Sequence, residues 1–104
     1  MVKHIVFWNF TPGARGCTDE ENYRVIKAGL EGLVGKIDGL VSAKVSLNFN
    51  PKGYTACLEA VFRDRAALEF YQNHPEHQKV RALVHEVICG RAVVDYEEPG
   101  PSQP

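Results

Sequence analysis

Two neighbouring stretches of the chain alternate apolar and polar residues. In residues 40–49, LVSAKVSLNF, every second side chain is apolar, and nearly the same pattern returns in residues 54–62, YTACLEAVF. An alternation with a period of two is typical of a strand that has one face buried. Only the turn-forming sequence NPKG lies between the two stretches. The pattern therefore predicts two antiparallel strands joined as a hairpin.

A helical period precedes the hairpin. Thr18 and Glu21 have the spacing of a capping box, and acidic residues fill the first turn, where the helix dipole favours them. Apolar or small residues then recur at a spacing of three and four, which predicts one buried stripe. Gly35 and Gly39 are expected to end this segment. The residues of the stripe are Val25, Ile26, Gly29, Leu30, Leu33 and Val34.

The second helical region is interrupted. Asp64 can cap a helix that runs through Tyr71, but the residue before a proline avoids helical backbone angles, so the helix should break near His74 and Pro75. A second helical piece follows, which makes this helix bent or split. Its buried stripe is formed by His77, Val80, Leu83, Val84 and Val87.

The two ends of the chain read as strands. Residues 2–10 and 89–97 are rich in β-branched and aromatic side chains, which gives the order β-α-β-β-α-β. This order predicts an α+β fold, the ferredoxin-like plait, in which a four-stranded antiparallel sheet carries both helices on one face. Residues 1–97 form one domain, and residues 98–104, which lack an apolar anchor, are expected to be a disordered tail.

Helices on one side leave the other sheet face uncovered. That face would hold apolar and aromatic side chains, and an exposed apolar patch of this kind marks an interface. We therefore expect a homodimer in which the open faces of two copies meet. The residues assigned to the open face are Lys3, Ile5, Phe7, Asn9, Ser42, Lys44, Ser46, Asn48, Thr55, Cys57, Glu59, Val61, Arg91, Val93 and Asp95.

Charge and cysteine usage exclude several function classes. The formal net charge is −1 and the basic residues are scattered, which argues against a nucleic-acid or anionic membrane partner. No apolar stretch approaches the length of a membrane span, and the first residues lack the features of a signal peptide. Three distant cysteines without zinc-type spacing predict free thiols, no metal site and a cytoplasmic location.

Several segments together resemble a known family. The opening VKHIVFWNF, the strand GYTACLEAVF, and YQNHPEHQKV followed by a last strand ending in VVDYE are similar to the stress-responsive dimeric α/β-barrel (Dabb) family, over about residues 1–96. The resemblance implies the same plait, paired into a barrel. The best understood members are plant polyketide cyclases resembling olivetolic acid cyclase, which close a linear poly-β-ketide without a cofactor.

The resemblance also implies site residues. Those cyclases use a histidine as general base and a tyrosine six residues earlier as its partner, and these positions match His77 and Tyr71. The histidine of their first strand matches His4, whereas a further pocket histidine falls at Ala56 here. A neutral imidazole can take a proton near pH 7, and a phenol can donate a hydrogen bond to an enolate oxygen.

The remaining candidates line or border the same region. Trp8 alternates with His4 on the helix side of the first strand and would form core or pocket wall. His74, immediately before the proline, is a candidate for substrate binding or for a structural corner. The predicted substrate-binding residues are therefore His4, Trp8 and His74, and no cofactor is expected.

Two functions fit these residues. The first is a small cofactor-independent enzyme that acts on an enolisable carbonyl compound, with His77 as base and Tyr71 as acid or oxyanion donor. The second is a non-catalytic, stress-associated binding protein in which the same bend is a structural cap. A closed cavity under residues 70–80 would favour the enzyme, and a filled core would favour the cap.

Overall fold

A four-stranded antiparallel sheet carries three helices on one face. The computed structural model describes residues 1–99, so the part of the predicted tail from residue 100 to 104 lies outside the described residues. The strand order β2-β3-β1-β4 is that of the ferredoxin-like plait, which confirms the predicted fold class. The elements are β1 (Val2–Phe10), α1 (Asp19–Glu31), β2 (Leu40–Leu47), β3 (Ala56–Phe62), α2 (Arg65–Asn73), α3 (Pro75–Val87) and β4 (Ile88–Glu97), with a short 3-10 turn at Ala14–Gly16.

Helix α1 begins at the predicted capping box. The Thr18 hydroxyl accepts the Glu21 backbone N–H at 3.1 Å, and the Glu21 carboxylate accepts the Thr18 N–H at 2.8 Å. The helix ends at Glu31, earlier than expected from the glycines that follow, because the chain turns at Gly32. Leu33 and Ile37 are buried beyond that point, so the apolar pattern continues past the end of the helix.

The second helical region is split, as predicted. The Asp64 carboxylate accepts the Ala67 backbone N–H at 2.8 Å and begins α2. His74 ends α2 with extended backbone angles and also begins α3, where its Nδ1 accepts the Glu76 N–H at 3.1 Å. Pro75 follows in the first helical position, which needs no backbone donor. Two helices that meet at His74 therefore replace one long helix.

The core lies between the sheet and the helices. Its side chains come from the inner faces of β1, β2 and β3 and from the facing stripes of the helices. Helix α1 approaches α3 closely, since a Cβ added at Gly29 would lie 3.0 Å from a methyl carbon of Val80. The largest fully buried side chains are Phe62, Ile26, Ile37, Val45, Val87 and Asn22.

The opposite face carries no helix, and we call it the open sheet face. The predicted faces of β1, β2 and β3 are confirmed by the pairings Lys3 with Val61 and Lys44 with Glu59. The prediction for β4 was wrong. Antiparallel register with β1 places the even-numbered residues of this strand on the open sheet face. Its members are Lys3, Ile5, Phe7, Asn9, Ser42, Lys44, Ser46, Cys57, Glu59, Val61, Ala92, Val94 and Tyr96.

The residues misplaced on β4 therefore lie on the helix side. Val93 pairs with Val6, and Asp95 pairs with His4, both of which belong to the covered face. The register shifts at Asn9 and Phe10, where the ladder skips a residue of β4. Adjacent Val93 and Val94 show no alternation, so the sequence alone could not reveal which side chain faces inward. The correction makes the open sheet face more apolar than expected.

Candidate active site

A cavity of about 380 Å³ lies between the split helix and the sheet. It is partly open to solvent, and its volume falls within the range of small-molecule sites in proteins. Strands β1, β3 and β4 form its floor, and helices α1, α2 and α3 form its walls. The lining residues are His4, Val6, Trp8, Leu30, Leu58, Tyr71, Gln72, Asn73, His77, Gln78, Arg81, Val84, His85, Ile88 and Arg91.

His4 is a buried histidine held by a carboxylate. It lies on the inner face of β1, where its Nδ1 hydrogen-bonds the Asp95 carboxylate of the neighbouring strand. Since an ionised carboxylate only accepts, Nδ1 must be the nitrogen that carries the hydrogen in this bond. A neutral His4 therefore keeps Nε2 free as a proton acceptor. The ring packs edge-on against Phe62 and Tyr71, which fixes its plane.

Tyr71 and His77 stack on each other. Their ring centroids are 4.0 Å apart with an interplanar angle of 27°, and the Tyr71 centroid lies 6.5 Å from that of His4. Tyr71 comes from the last turn of α2, and His77 comes from the first turn of α3. The break between the helices thus brings the two rings together over the cavity floor.

Burial perturbs both of these groups. It lowers the pKa of His77 from 6.5 to about 4, and the positive charge of Arg81 acts in the same direction. The Nδ1 atom of His77 is buried and has no hydrogen-bond partner in the described part of the chain. Burial also raises the pKa of the Tyr71 hydroxyl above its ordinary value of 10. At pH 7 His77 is therefore neutral and Tyr71 is protonated.

The other predicted residues divide between the cavity and its surroundings. Trp8 is buried and lines the cavity floor. His74 does not line this cavity. It caps α3, and its ring meets that of Phe70 edge-on on the outside of the bend. Ala56 is buried on the inner face of β3, opposite Trp8.

Sequence reasoning missed three charged residues of this region. Asp95 had been assigned to the open sheet face, and Arg91 had been placed there with it. Arg91 lies opposite Trp8 on the helix side, and Arg81 reaches the cavity from α3. The register between β1 and β4 decides this placement: pairing His4 with Asp95 puts both Asp95 and Arg91 on the helix side of the sheet.

Two further properties concern possible partners and metals. Among residues 1–99 no helix is both long and apolar enough to cross a membrane. In the same part of the chain no three His, Cys, Asp or Glu side chains come together to hold a metal ion. Cys17, Cys57 and Cys89 are free thiols.

The sequence matches a known family over nearly its whole length. A model of the stress responsive A/B barrel domain family matches residues 2–98. A comparison with curated protein sequences finds no match.

Solved structures share the fold. A dimeric protein of unknown function with a ferredoxin-like fold from Bacteroides fragilis is 30% identical, with a TM-score of 0.82, covering 93% of this chain and 95% of its own. A dimeric ferredoxin-like protein of unknown function from Jannaschia is 27% identical, with a TM-score of 0.77 and coverages of 93% and 98%. A hydroxynitrile lyase from Passiflora edulis is 18% identical, with a TM-score of 0.77 and coverages of 96% and 96%. At that identity the last likeness concerns the fold alone.

Proposed function

Because the chain belongs to the stress responsive A/B barrel domain family, we propose that it is a homodimer whose cavity removes a proton from an enolisable carbonyl compound. The reaction needs no cofactor, because the acid and base groups are side chains of the protein. The observation that carries this proposal is the hydrogen bond between buried His4 and the Asp95 carboxylate, because His4 lines the same cavity as the protonated Tyr71.

His4 is the general base in this proposal. The bond to Asp95 directs Nε2 toward the cavity as the proton acceptor and stabilises the imidazolium that forms. The C–H bond beside the substrate carbonyl breaks, its proton moves to Nε2, and its electron pair moves onto the carbonyl oxygen as an enolate. His77 has no carboxylate partner in the described part of the chain, so the arrangement favours His4 for this transfer.

Tyr71 stabilises the enolate. Since burial raises the pKa of its hydroxyl, the group stays protonated and can donate a hydrogen bond to the developing oxyanion. His77, neutral with a pKa of about 4, is a weak base but can hydrogen-bond a bound carbonyl group. The two imidazoles therefore take different roles because their surroundings differ. The family resemblance had suggested His77 as the base.

The enolate can then form a ring. Its carbon attacks a second carbonyl group of the same molecule, and the new alkoxide takes back the proton from His4. This sequence is polyketide cyclase-like chemistry, and it consumes no oxidant or reductant. A cavity of about 380 Å³ suits a ligand of modest size held in one folded conformation.

Hydrogen exchange tests the chemistry. The α-hydrogens of heptane-2,6-dione, a neutral diketone, are followed by proton NMR in D₂O with wild type and variants. General-base catalysis typically contributes about a hundredfold or more, so His4→Gln and Asp95→Asn should each lose exchange on this scale. Tyr71→Phe should lose about a hundredfold or more of the exchange rate, as expected for removal of one oxyanion donor. Tyr23→Phe is the matched control, since that hydroxyl contacts the Val45 carbonyl outside the cavity.

The outcomes separate the roles. If His77→Gln abolishes exchange while His4→Gln does not, His77 is the base and our assignment is wrong. Exchange no faster than in buffer, with saturable binding of the diketone, would instead support the non-catalytic binding protein. One observation favours that second function: the His74 cap accounts for the helix break without any chemistry.

The homodimer is proposed through the open sheet face. Ile5, Phe7, Val94 and Tyr96 give it an apolar centre, and the ring of Phe7 stacks on Tyr54 at 5.7 Å. The similar proteins from Bacteroides fragilis and Jannaschia are described as dimeric. A dimer would remove these side chains from water, which is the dominant favourable term in association.

A charge in this face tests the interface. Phe7→Glu should convert the dimer to a monomer, measured by size-exclusion chromatography with light scattering, because a desolvated unpaired carboxylate is costly. Phe70→Glu is the control, since Phe70 is half exposed on α2 and lies off this face. Retention of the dimer in Phe7→Glu would exclude the open sheet face as the interface. The cytoplasmic location stays a prediction.

A further inference from the structure

The charges that line the cavity all have one sign. Arg81 reaches it from α3 and Arg91 from β4, while no aspartate or glutamate is among the lining residues. Asp95 lies close by, but its carboxylate is engaged by His4 and does not line the cavity. Cavity walls of low dielectric strengthen the field of such charges and attract a ligand of opposite sign.

These two arginines also differ from the others in the chain. Four of the six arginines form ion pairs: Arg15 with Glu86, Arg24 with Glu20, Arg63 with Asp38 and Asp64, and Arg65 with Glu97. Within residues 1–99 neither Arg81 nor Arg91 forms an ion pair. The two guanidinium groups without an acidic partner are thus the two that border the cavity.

We propose that the ligand of this cavity carries a carboxylate, which Arg81 and Arg91 bind at the side of α3 and β4. A guanidinium presents two parallel N–H groups that match the two oxygens of a carboxylate. This inference rests on the proposed function for the rest of the ligand, whose carbonyl group would reach Tyr71 and His4. The substrate class is therefore an oxo carboxylate, in which one molecule holds both an anion and an enolisable ketone.

Matched acids and esters test the inference. The probes are 4-oxopentanoate, 5-oxohexanoate and 6-oxoheptanoate with their methyl esters, which differ in the separation between the carboxylate and the ketone. Dissociation constants are measured by ligand-observed NMR at low salt. The best acid should bind about tenfold more tightly than its ester, and salt should reduce this preference. Inorganic phosphate is included as a competing anion.

Two variants assign the preference to the arginines. Arg81→Gln and Arg91→Gln should each reduce the preference for the acid about fivefold or more, with ester affinity unchanged. Both side chains are exposed, so the fold should tolerate the changes. Arg24→Gln is the matched control: it removes the same charge from an exposed position on α1, away from the cavity, and should retain the full preference.

The results separate this inference from the proposed chemistry. Acids and esters that bind equally, or acids that do not bind at all, overturn the carboxylate site, even if exchange of the neutral diketone still depends on His4. A preference that survives both arginine variants overturns it as well, and so does phosphate that displaces every acid at lower concentration. Conversely, an arginine-dependent preference without His4-dependent exchange keeps the carboxylate site and refutes the acid–base chemistry.

Discussion

Replacing His77 should change how the stability of the protein depends on pH. Burial lowers the pKa of this ring to about 4 in the folded protein, while the unfolded chain has the ordinary value of 6.5. Well above pH 6.5 the ring is neutral in both states, so it does not make the free energy of unfolding depend on pH. As pH falls through 6.5, the unfolded chain binds a proton that the folded protein does not, so stability decreases until the pH reaches about 4.

The magnitude follows from the two pKa values. Each pKa unit corresponds to about 1.36 kcal/mol, so the whole interval corresponds to about 3 kcal/mol of unfolding free energy. Between pH 7 and pH 5 the loss should be about 2 kcal/mol. Because the His77 ring is partly exposed, these values are upper bounds. His77→Gln keeps a polar side chain that cannot titrate and should lack this loss.

Urea unfolding at pH 7, 6 and 5 measures the effect. Protein concentration is held constant, because unfolding of a dimer depends on it. Titration of the acidic groups contributes equally to the unfolding free energies of wild type and variant, so it cancels when the two are subtracted. His85→Gln, which replaces an exposed histidine on the same helix, is the control and should follow wild type. Parallel pH profiles for wild type and His77→Gln would refute the claim that His77 is held neutral by burial.

Three further predictions concern the stability of the fold and are tested by urea unfolding. Gly39→Ala should lower the free energy of unfolding by about 2 kcal/mol or more, because φ is +89° and the new methyl would lie 2.5 Å from the Ala67 Cβ. Gly35→Ala is the control: φ is +91° but no described atom lies within 4 Å of the new methyl, so only the cost of the backbone conformation applies and the loss should be smaller. Thr18→Ala should cost about 1 kcal/mol and Thr18→Ser much less, since serine retains the cap. Asn22→Ala should cost about 1–3 kcal/mol because this fully buried side chain donates a hydrogen bond to the Ala14 carbonyl and accepts one from Arg15, and both bonds are lost. Equal losses in the two glycine variants, equal losses in the two Thr18 variants, or an unchanged Asn22→Ala would contradict these accounts.

Local signals made most of the fold predictable. The capping box at Thr18, the proline after His74 and the alternation of the hairpin each depend on residues close together in sequence, and each appears in the structure. Such signals act through backbone geometry and one strand or helix face. They therefore depend little on how distant parts of the chain pack.

The partners in the cavity depend on longer-range geometry. His4 and Asp95 meet only because β1 and β4 are neighbours in a particular register, and the shift near Asn9 sets that register. Because Val93 and Val94 are both apolar, the sequence does not indicate this register. Similarly, Arg15 and Arg65 meet Glu86 and Glu97 only because distant elements pack together. These pairings are properties of the assembled sheet and helices.

Strand β4 is an edge strand with one ladder partner, and most of its side chains are exposed. It nevertheless contributes Arg91 to the cavity lining and provides Asp95, the hydrogen-bond partner of His4. Substitutions at exposed positions usually change folding free energy by about 0.5 kcal/mol or less. Substitutions on β4 can therefore change the lining of the cavity while the buried strands stay the same.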